Sequence, residues 1–240
     1  MICVVHDGLA SPAARAVSLL RDRDAAVTVT ETDALAAEEF DDGDRVLALG
    51  ERALIAVGRA GVECPVLPVG GESLPTGPTV DDLDTAADTL LAPDPDVVRH
   101  PVLTVDGDRH RGRAVLDATL VTSEPARISE YAITTDGRPV DRFRADGVVV
   151  ATPFGSGGYA SAVGGPLLGP GTGLVVVPIS PFETQRDCWV VDGPVELSVE
   201  RDDSEVSLIV DDEEAGSVTP GETVSVAVDG HFSVIRDGSL

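Results

Sequence analysis

Near residue 95 the hydrophobic rhythm of this chain changes, and that change limits the folds open to it. Before it, short apolar runs alternate with amphipathic stretches. Ile2–Val5, Ala26–Thr30, Arg45–Leu49 and Pro65–Val69 predict strands. A stretch opening at Ser11-Pro12 and carrying Ala14, Val17, Leu19 and Leu20 predicts a helix, as do Arg52–Ala60 and Val80–Leu91. Strands alternating with short helices imply an α/β domain with a parallel sheet. Pro93-Asp94-Pro95 then interrupts the chain as a linker. Beyond it, Val102–Val105, Ala114–Val121, Ala126–Thr134, Gly147–Ala151, Gly173–Pro178, Cys188–Val191, Val195–Val199, Val206–Val210, Thr223–Val228 and Phe232–Arg236 are short and rich in β-branched residues. Asp136-Gly137, Asp192-Gly193 and Asp229-Gly230 supply turns between several of them. The expected architecture is an α/β domain over 1–95 followed by a β-rich layered or sandwich domain over 96–240.

Charge narrows the partners. The 240 residues carry 42 acidic side chains against 17 basic ones, a formal net charge of −25, and no lysine is present, so every basic residue is arginine. Such a surface repels itself at low ionic strength and is tolerated where molar salt screens charge over ~3 Å, which predicts a halophilic protein. The same field argues against nucleic acid and anionic lipid as partners. MICVVHDG lacks the basic start of a signal peptide, and no apolar run approaches ~18 residues, so a cytoplasmic location is expected. Cys3, Cys64 and Cys188 are far apart and without CxxC spacing, which predicts buried free thiols and no zinc site. His6, His100, His110 and His231 show no metal-ligand spacing either.

Asp146–Pro166, DGVVVATPFGSGGYASAVGGP, is the segment richest in possible chemistry. A strand empties into a turn holding Gly155, Gly157 and Gly158, with Gly164-Gly165 beyond, and Ser156 and Tyr159 place hydroxyls amid bare backbone. Glycine lets a ligand approach the main chain closely, so the segment suits a polar, ring-bearing molecule such as a nucleotide. It is equally a tight strand-to-helix turn with packing glycines. A serine hydrolase built on Ser156 is disfavoured, because Gly155-Ser156-Gly157 lacks the GxSxG spacing.

The segment resembles the DGxxxxTPxGSTAYxxSxGGP signature of NAD kinases without a gap. Asp146, Gly147, Thr152, Pro153, Gly155, Ser156, Tyr159, Gly164, Gly165 and Pro166 fall in register, while Gly157-Gly158 replaces Thr-Ala and Ala162 replaces a serine. The resemblance implies an NAD kinase-like fold with an α/β domain before a β-rich one. It implies ATP and NAD as substrates, with Mg²⁺ arriving on ATP, and homo-oligomers assembled through the β-domain. In that family a GGDG loop after a strand cradles ATP phosphates and supplies an aspartate as general base. Here Leu49-Gly50-Glu51-Arg52 stands in its place, so Glu51 becomes the candidate base, and Gly50 and Arg52 the candidate phosphate contacts. Glu51 is also what a helix favours in its first turn. The family's Leu-Asn-Glu, a dinucleotide contact, corresponds to Leu116-Asp117-Ala118, which keeps an acceptor at Asp117 and drops the glutamate. Its PIxPH with a following arginine corresponds to Pro178–Phe182 and Arg186. Two functions are carried forward. One is ATP-dependent phosphorylation of NAD at the 2′-hydroxyl of its adenosine ribose, with Asp117, Asp146, Gly147, Thr152, Gly155, Ser156, Tyr159, Gly164 and Gly165 holding the dinucleotide. The other is a catalytically lapsed relative that binds a dinucleotide as sensor or regulator.

Overall fold

The apolar runs of the first part become four parallel strands with helices on both faces. The computed structural model describes residues 1–70, 77–124, 127–183, 187–201 and 205–236. Chain order begins with β1 (Ile2–His6), α1 (Ala10–Arg21), β2 (Val27–Glu31), β3 (Arg45–Leu49), α2 (Glu51–Ala60), β4 (Val66–Val69) and α3 (Leu83–Leu91). The sheet order is β2-β1-β3-β4, every pair parallel. Successive residues of a strand face opposite sides. Ile2 and Val4 of β1, Leu47 and Leu49 of β3, and Leu67 and Val69 of β4 therefore meet α1 and α3. On α1 the buried stripe is Ala13, Ala16, Val17 and Leu20, an i, i+3, i+4, i+7 set; Ala14 is exposed and Leu19 only half-buried. Leu20→Ala would cost about 2–5 kcal/mol at so enclosed a position. Helix α3 starts at Leu83, not Val80, because the turn before it is fixed by Asp82, whose N–H donates to the Thr79 carbonyl.

The second part is a sandwich of antiparallel strands. It comprises β5 (Val97–Gly107), β6 (His110–Ala114), β7 (Asp117–Thr122), β8 (Ser129–Thr135), β9 (Arg138–Ala145), β10 (Gly147–Ala151), the short helix α4 (Tyr159–Ala162), β11 (Leu174–Ile179), β12 (Trp189–Val191), β13 (Val195–Arg201), β14 (Val206–Val210), β15 (Glu213–Val218) and β16 (Thr223–Ile235). One sheet runs β12-β11-β10-β7-β14-β15. Facing it are β9, β8, β13 and the first half of β16, with β5 and β6 off that path. Leu120, Tyr131, Ile133, Phe143, Val148, Val150, Val176, Val195, Leu197 and Leu208 fill the space between. On the outer face of β10 and β11, Val149, Ala151, Val175 and Val177 hold Ala160 of α4 and, less deeply, Leu168.

Asp136 (φ 50°) and Gly137 (φ 70°) make the two-residue turn between β8 and β9. Two expectations for this part fail, and two strands were not expected at all. Asp229-Gly230 does not turn: β16 runs through it, with Gly230 at φ 140°. The expected strand over Ala114–Val121 is interrupted at Val115-Leu116. Strands β9 and β15, with few apolar residues, had no sequence signal strong enough to mark them. Two compact units result, Met1–His100 together with His231–Leu240, and Pro101–Gly230. The last strand thus begins in the second unit and ends in the first, where Val234 pairs with Val66 in parallel.

Candidate functional site

The glycine segment is held by its own hydroxyls. Thr152, fully buried, donates from Oγ1 to the Val115 carbonyl (2.7 Å) and accepts from the Gly155 N–H (3.2 Å). Its N–H donates to the Leu116 carbonyl (2.8 Å). Ser156, also fully buried, donates from Oγ to the Pro153 carbonyl (2.7 Å) and accepts from the Leu168 N–H (2.9 Å). These hydroxyls are therefore committed to loop geometry, and what the loop presents outward is backbone and Tyr159, which is 45% exposed where it opens α4. A Cβ on Gly155 would lie 2.1 Å from the Leu116 carbonyl oxygen, and one on Gly165 would lie 2.8 Å from the Ala160 carbonyl oxygen, so both glycines are required by packing. Gly164 has open space around it and a φ of 96°.

Asp117 stands beside this loop. It pairs with Ala151 in the β7–β10 ladder, one residue before Thr152. Its side chain is buried and accepts from Thr119 Oγ1 (3.3 Å). Ala118, where the family pattern has glutamate, is buried at 1% exposure. Asp146 and Gly147 lie elsewhere. They begin β10 whereas the glycine loop ends it, and five residues of strand separate the two ends by about 17 Å. Within one chain, Asp146 and the Ser156–Tyr159 loop thus stand at opposite ends of the same strand. Asp146 is bonded through its backbone, donating to the Ile179 carbonyl and accepting from the Thr122 N–H and the Tyr131 hydroxyl. Gly147 packs against the Leu120 carbonyl, which a Cβ would approach to 2.3 Å.

In the first unit, Gly50, Glu51 and Arg52 sit where the sheet order reverses. The chain steps from β1 outward to β2, then back past β1 to β3, so β1 and β3 flank the switch point, and ligands of open α/β sheets bind outside the carboxyl ends of such strands. Gly50 takes φ 90° and donates its N–H to the Val69 carbonyl (2.7 Å), and its carbonyl accepts the first bond of α2, from Leu54 (3.2 Å). Glu51 is half-buried in the first turn of α2. Arg52 reaches across to Asp7 Oδ2 at 3.3 Å, with both side chains substantially exposed. Asp7 was not anticipated, although Asp7-Gly8 follows the apolar run of β1 as Gly50-Glu51 follows that of β3.

Cys3 and Cys64 are buried as expected, but Cys188 is exposed. Burial raises the Cys3 thiol and pushes Cys64 up to about 11. Among the described residues no group of three or more His, Cys, Asp or Glu side chains is placed to hold a metal, and no helix is long and apolar enough to cross a membrane. Ile179 ends β11 and is followed by Ser180 at φ 47° and by Phe182, whose ring lies 5.7 Å from the Arg144 guanidinium carbon; Arg186 lies outside the described residues.

Comparison with known proteins supplies an independent line. Residues 117–236 match the family model described as the ATP-NAD kinase C-terminal domain. An NAD kinase of Methanoregula boonei is 31% identical over 140 residues, 58% of this chain and 52% of that protein. An NAD kinase of Thermoplasma acidophilum is 33% identical over 170 residues, 68% of this chain and 62% of its own length. The chain spans about half the length of the curated relatives it matches. Among solved structures, an NAD kinase from Archaeoglobus fulgidus in complex with ATP superposes with a TM-score of 0.77 at 22% identity, covering 99% of this chain and 94% of that one. Yeast NADH kinase complexed with NADH gives the same TM-score at 14% identity, covering 98% and 82%. At these identities the two structures establish a shared fold.

Proposed function

The chain belongs to the NAD kinase family, and on that premise we propose that it transfers the γ-phosphoryl group of ATP to the 2′-hydroxyl of the adenosine ribose of NAD, giving NADP and ADP. The observation carrying this reading is the Thr152–Gly158 loop, whose packing glycine and internal hydroxyls hold bare backbone beside Asp117 within the region that matches the family.

In this reading the 2′-oxygen attacks the γ-phosphorus, the bond from that phosphorus to the β–γ bridging oxygen breaks, and ADP departs. Glu51 takes the 2′-hydroxyl proton, and its first-turn place at the switch point suits that role. The N-terminal turn of α2 and Gly50 receive the phosphates, and Arg52 leaves Asp7 to pair with them; an exposed ion pair of this kind is worth only about 0–1 kcal/mol, so the exchange is inexpensive. Mg²⁺ arrives with ATP as part of the substrate. Tyr159, Asp117 and the loop backbone face the dinucleotide, while Thr152, Ser156, Gly155 and Gly165 fix the loop. Asp146 and Gly147, at the far end of β10, would act in a second copy's site, which fits a homo-oligomer. The net charge of −25 without lysine supports a halophilic setting.

A second reading, a lapsed enzyme that retains its pocket, is favoured by Ala118 at the glutamate position and by Arg52 paired within the protein. NADP formation in molar salt with NAD, ATP and Mg²⁺ separates the two, run with wild type, Glu51→Ala and Glu51→Asp. Turnover abolished only in Glu51→Ala supports the kinase. No wild-type turnover, with a gain in Glu51→Asp, supports the lapsed enzyme. Absence of turnover in all three together with no NAD binding would refute both.

A further inference from the structure

Between β6 and β7 the chain leaves its ladder for Val115-Leu116, yet every backbone polar group from Val115 to Asp117 is satisfied. The three N–H groups converge on one carboxylate. Asp211 Oδ1 accepts from Val115 (3.0 Å), Leu116 (2.7 Å) and Asp117 (3.2 Å), and Oδ2 accepts from Val115 as well (3.1 Å). The three carbonyls are also taken. Thr152 binds those of Val115 and Leu116, and the Asp211 N–H donates to that of Asp117 (2.9 Å). Asp211 occupies the two-residue turn between β14 and β15 at φ 54°, a left-handed conformation that aspartate tolerates better than most side chains.

We propose that Asp211 is a positioning residue that sets the Asp117 end of the dinucleotide site, by clamping Val115–Asp117 against the glycine loop. The proposal rests on the reading of Asp117 and that loop as the dinucleotide site. Hydrogen bonds to an ionised acceptor are about twice as strong as neutral ones, and here one carboxylate gathers four such contacts. Successive N–H groups of this kind otherwise form a cup for an external anion. Filled from within by Asp211, this cup cannot take a substrate phosphate, so the segment offers the Asp117 side chain and not its amides. Because Thr152 holds the carbonyls of Val115 and Leu116, a shift of that pair is passed to the glycine loop.

Two substitutions test this. Asp211→Gly deletes the carboxylate while suiting the left-handed turn. Asp211→Asn keeps an oxygen for Leu116 and Asp117 and turns an NH₂ toward Val115. Steady-state kinetics and calorimetric NAD binding are measured in molar salt beside thermal melts. Asp211→Gly is expected to raise KM and Kd for NAD on the order of 10- to 100-fold with KM for ATP unchanged, since misplacement of ~1 Å costs about that much. Asp211→Asn, which keeps only part of the acceptor set, should recover part of the loss and leave KM for NAD several-fold above wild type. A merely structural role would lower kcat with the folded fraction and leave KM for NAD as in wild type, which overturns the proposal. If Asp211→Gly gives no cooperative melt, Asp211→Asn decides: a several-fold rise in KM for NAD supports the clamp, and an unchanged KM overturns it. Wild type that neither binds NAD nor forms NADP removes the dinucleotide reading itself, and this inference with it; wild type that binds beside variants that bind equally removes only the inference.

Discussion

Gly155→Ala puts the tightness of the glycine loop to a quantitative test. The added carbon would lie 2.1 Å from the Leu116 carbonyl oxygen and 2.5 Å from its carbonyl carbon. Both partners are backbone, so no side chain can swing aside. Ordinary contact begins near 3.4 Å, so the loop or Leu116 must retreat by about 1.3 Å. Overpacking of this kind costs about 1–3 kcal/mol. For a chain of this size, ~2 kcal/mol lowers the melting temperature by about 4–8 °C. The functional cost should be larger, because displacement of a positioning loop by ~1 Å is worth about 100-fold in kcat/KM. Gly169→Ala is the comparison. It lies in the same stretch, and its added carbon comes no nearer than 4.0 Å to the Thr172 methyl. That variant should melt and bind NAD as wild type does. Circular dichroism melts in molar salt and calorimetric NAD titrations read both quantities. If Gly155→Ala melts within about 1 °C of Gly169→Ala and binds NAD equally, the loop is compliant and the reasoning fails.

Two further outcomes follow from the cysteines and from one carboxylate. A water-soluble thiol reagent should modify Cys188 in the native protein and all three cysteines in denaturant, because Cys3 and Cys64 are buried with raised pKa values; rapid native labelling of Cys64 would contradict its burial. Glu222 is held below the usual carboxylate range, first by the Thr219 N–H at 2.7 Å and also by Arg109 at 3.5 Å. Its folded pKa is therefore lower than its unfolded one, so its contribution is present above the unfolded value and lost as pH falls through the folded one. Glu222→Gln should destabilise near pH ~7 and converge on wild type below about pH 4, and urea melts that show a constant difference would exclude this linkage.

The sequence exposed some features and hid others for physical reasons. Arg45–Leu49, Gly147–Ala151 and Val206–Val210 coincide with their strands because each is mostly apolar and mostly buried in its sheet. Arg138–Ala145 is an edge strand, with Arg138, Pro139, Arg142 and Arg144 along it and only Phe143 and Ala145 buried, so it reads as a loop. Glu213–Val218 begins with two exposed glutamates and includes a register shift, which likewise erases alternation. The glycine segment was legible as a site because its composition departs so far from an ordinary turn. The bonding of Ser156 was not legible: nothing in a linear sequence says that its hydroxyl bonds to Leu168 N–H instead of facing solvent. Asp211 was invisible for a related reason. In sequence, Asp211-Asp212 is an acidic hairpin turn, and its partners lie nearly a hundred positions away.

Strand β16 carries a consequence for lineage and recombination. Because the chain leaves the α/β unit near His100 and returns at His231, the sandwich is in effect a cassette inserted into its host. A fragment severed near residue 95 would lack Val234 beside Val66 and bare the edge of β4, the kind of unpaired edge that recruits other chains. Exchange of sandwiches between relatives therefore takes two crossovers, one in β5 and one in β16, and a single crossover at the Pro93-Asp94-Pro95 linker leaves each hybrid with a closing strand drawn from the other parent.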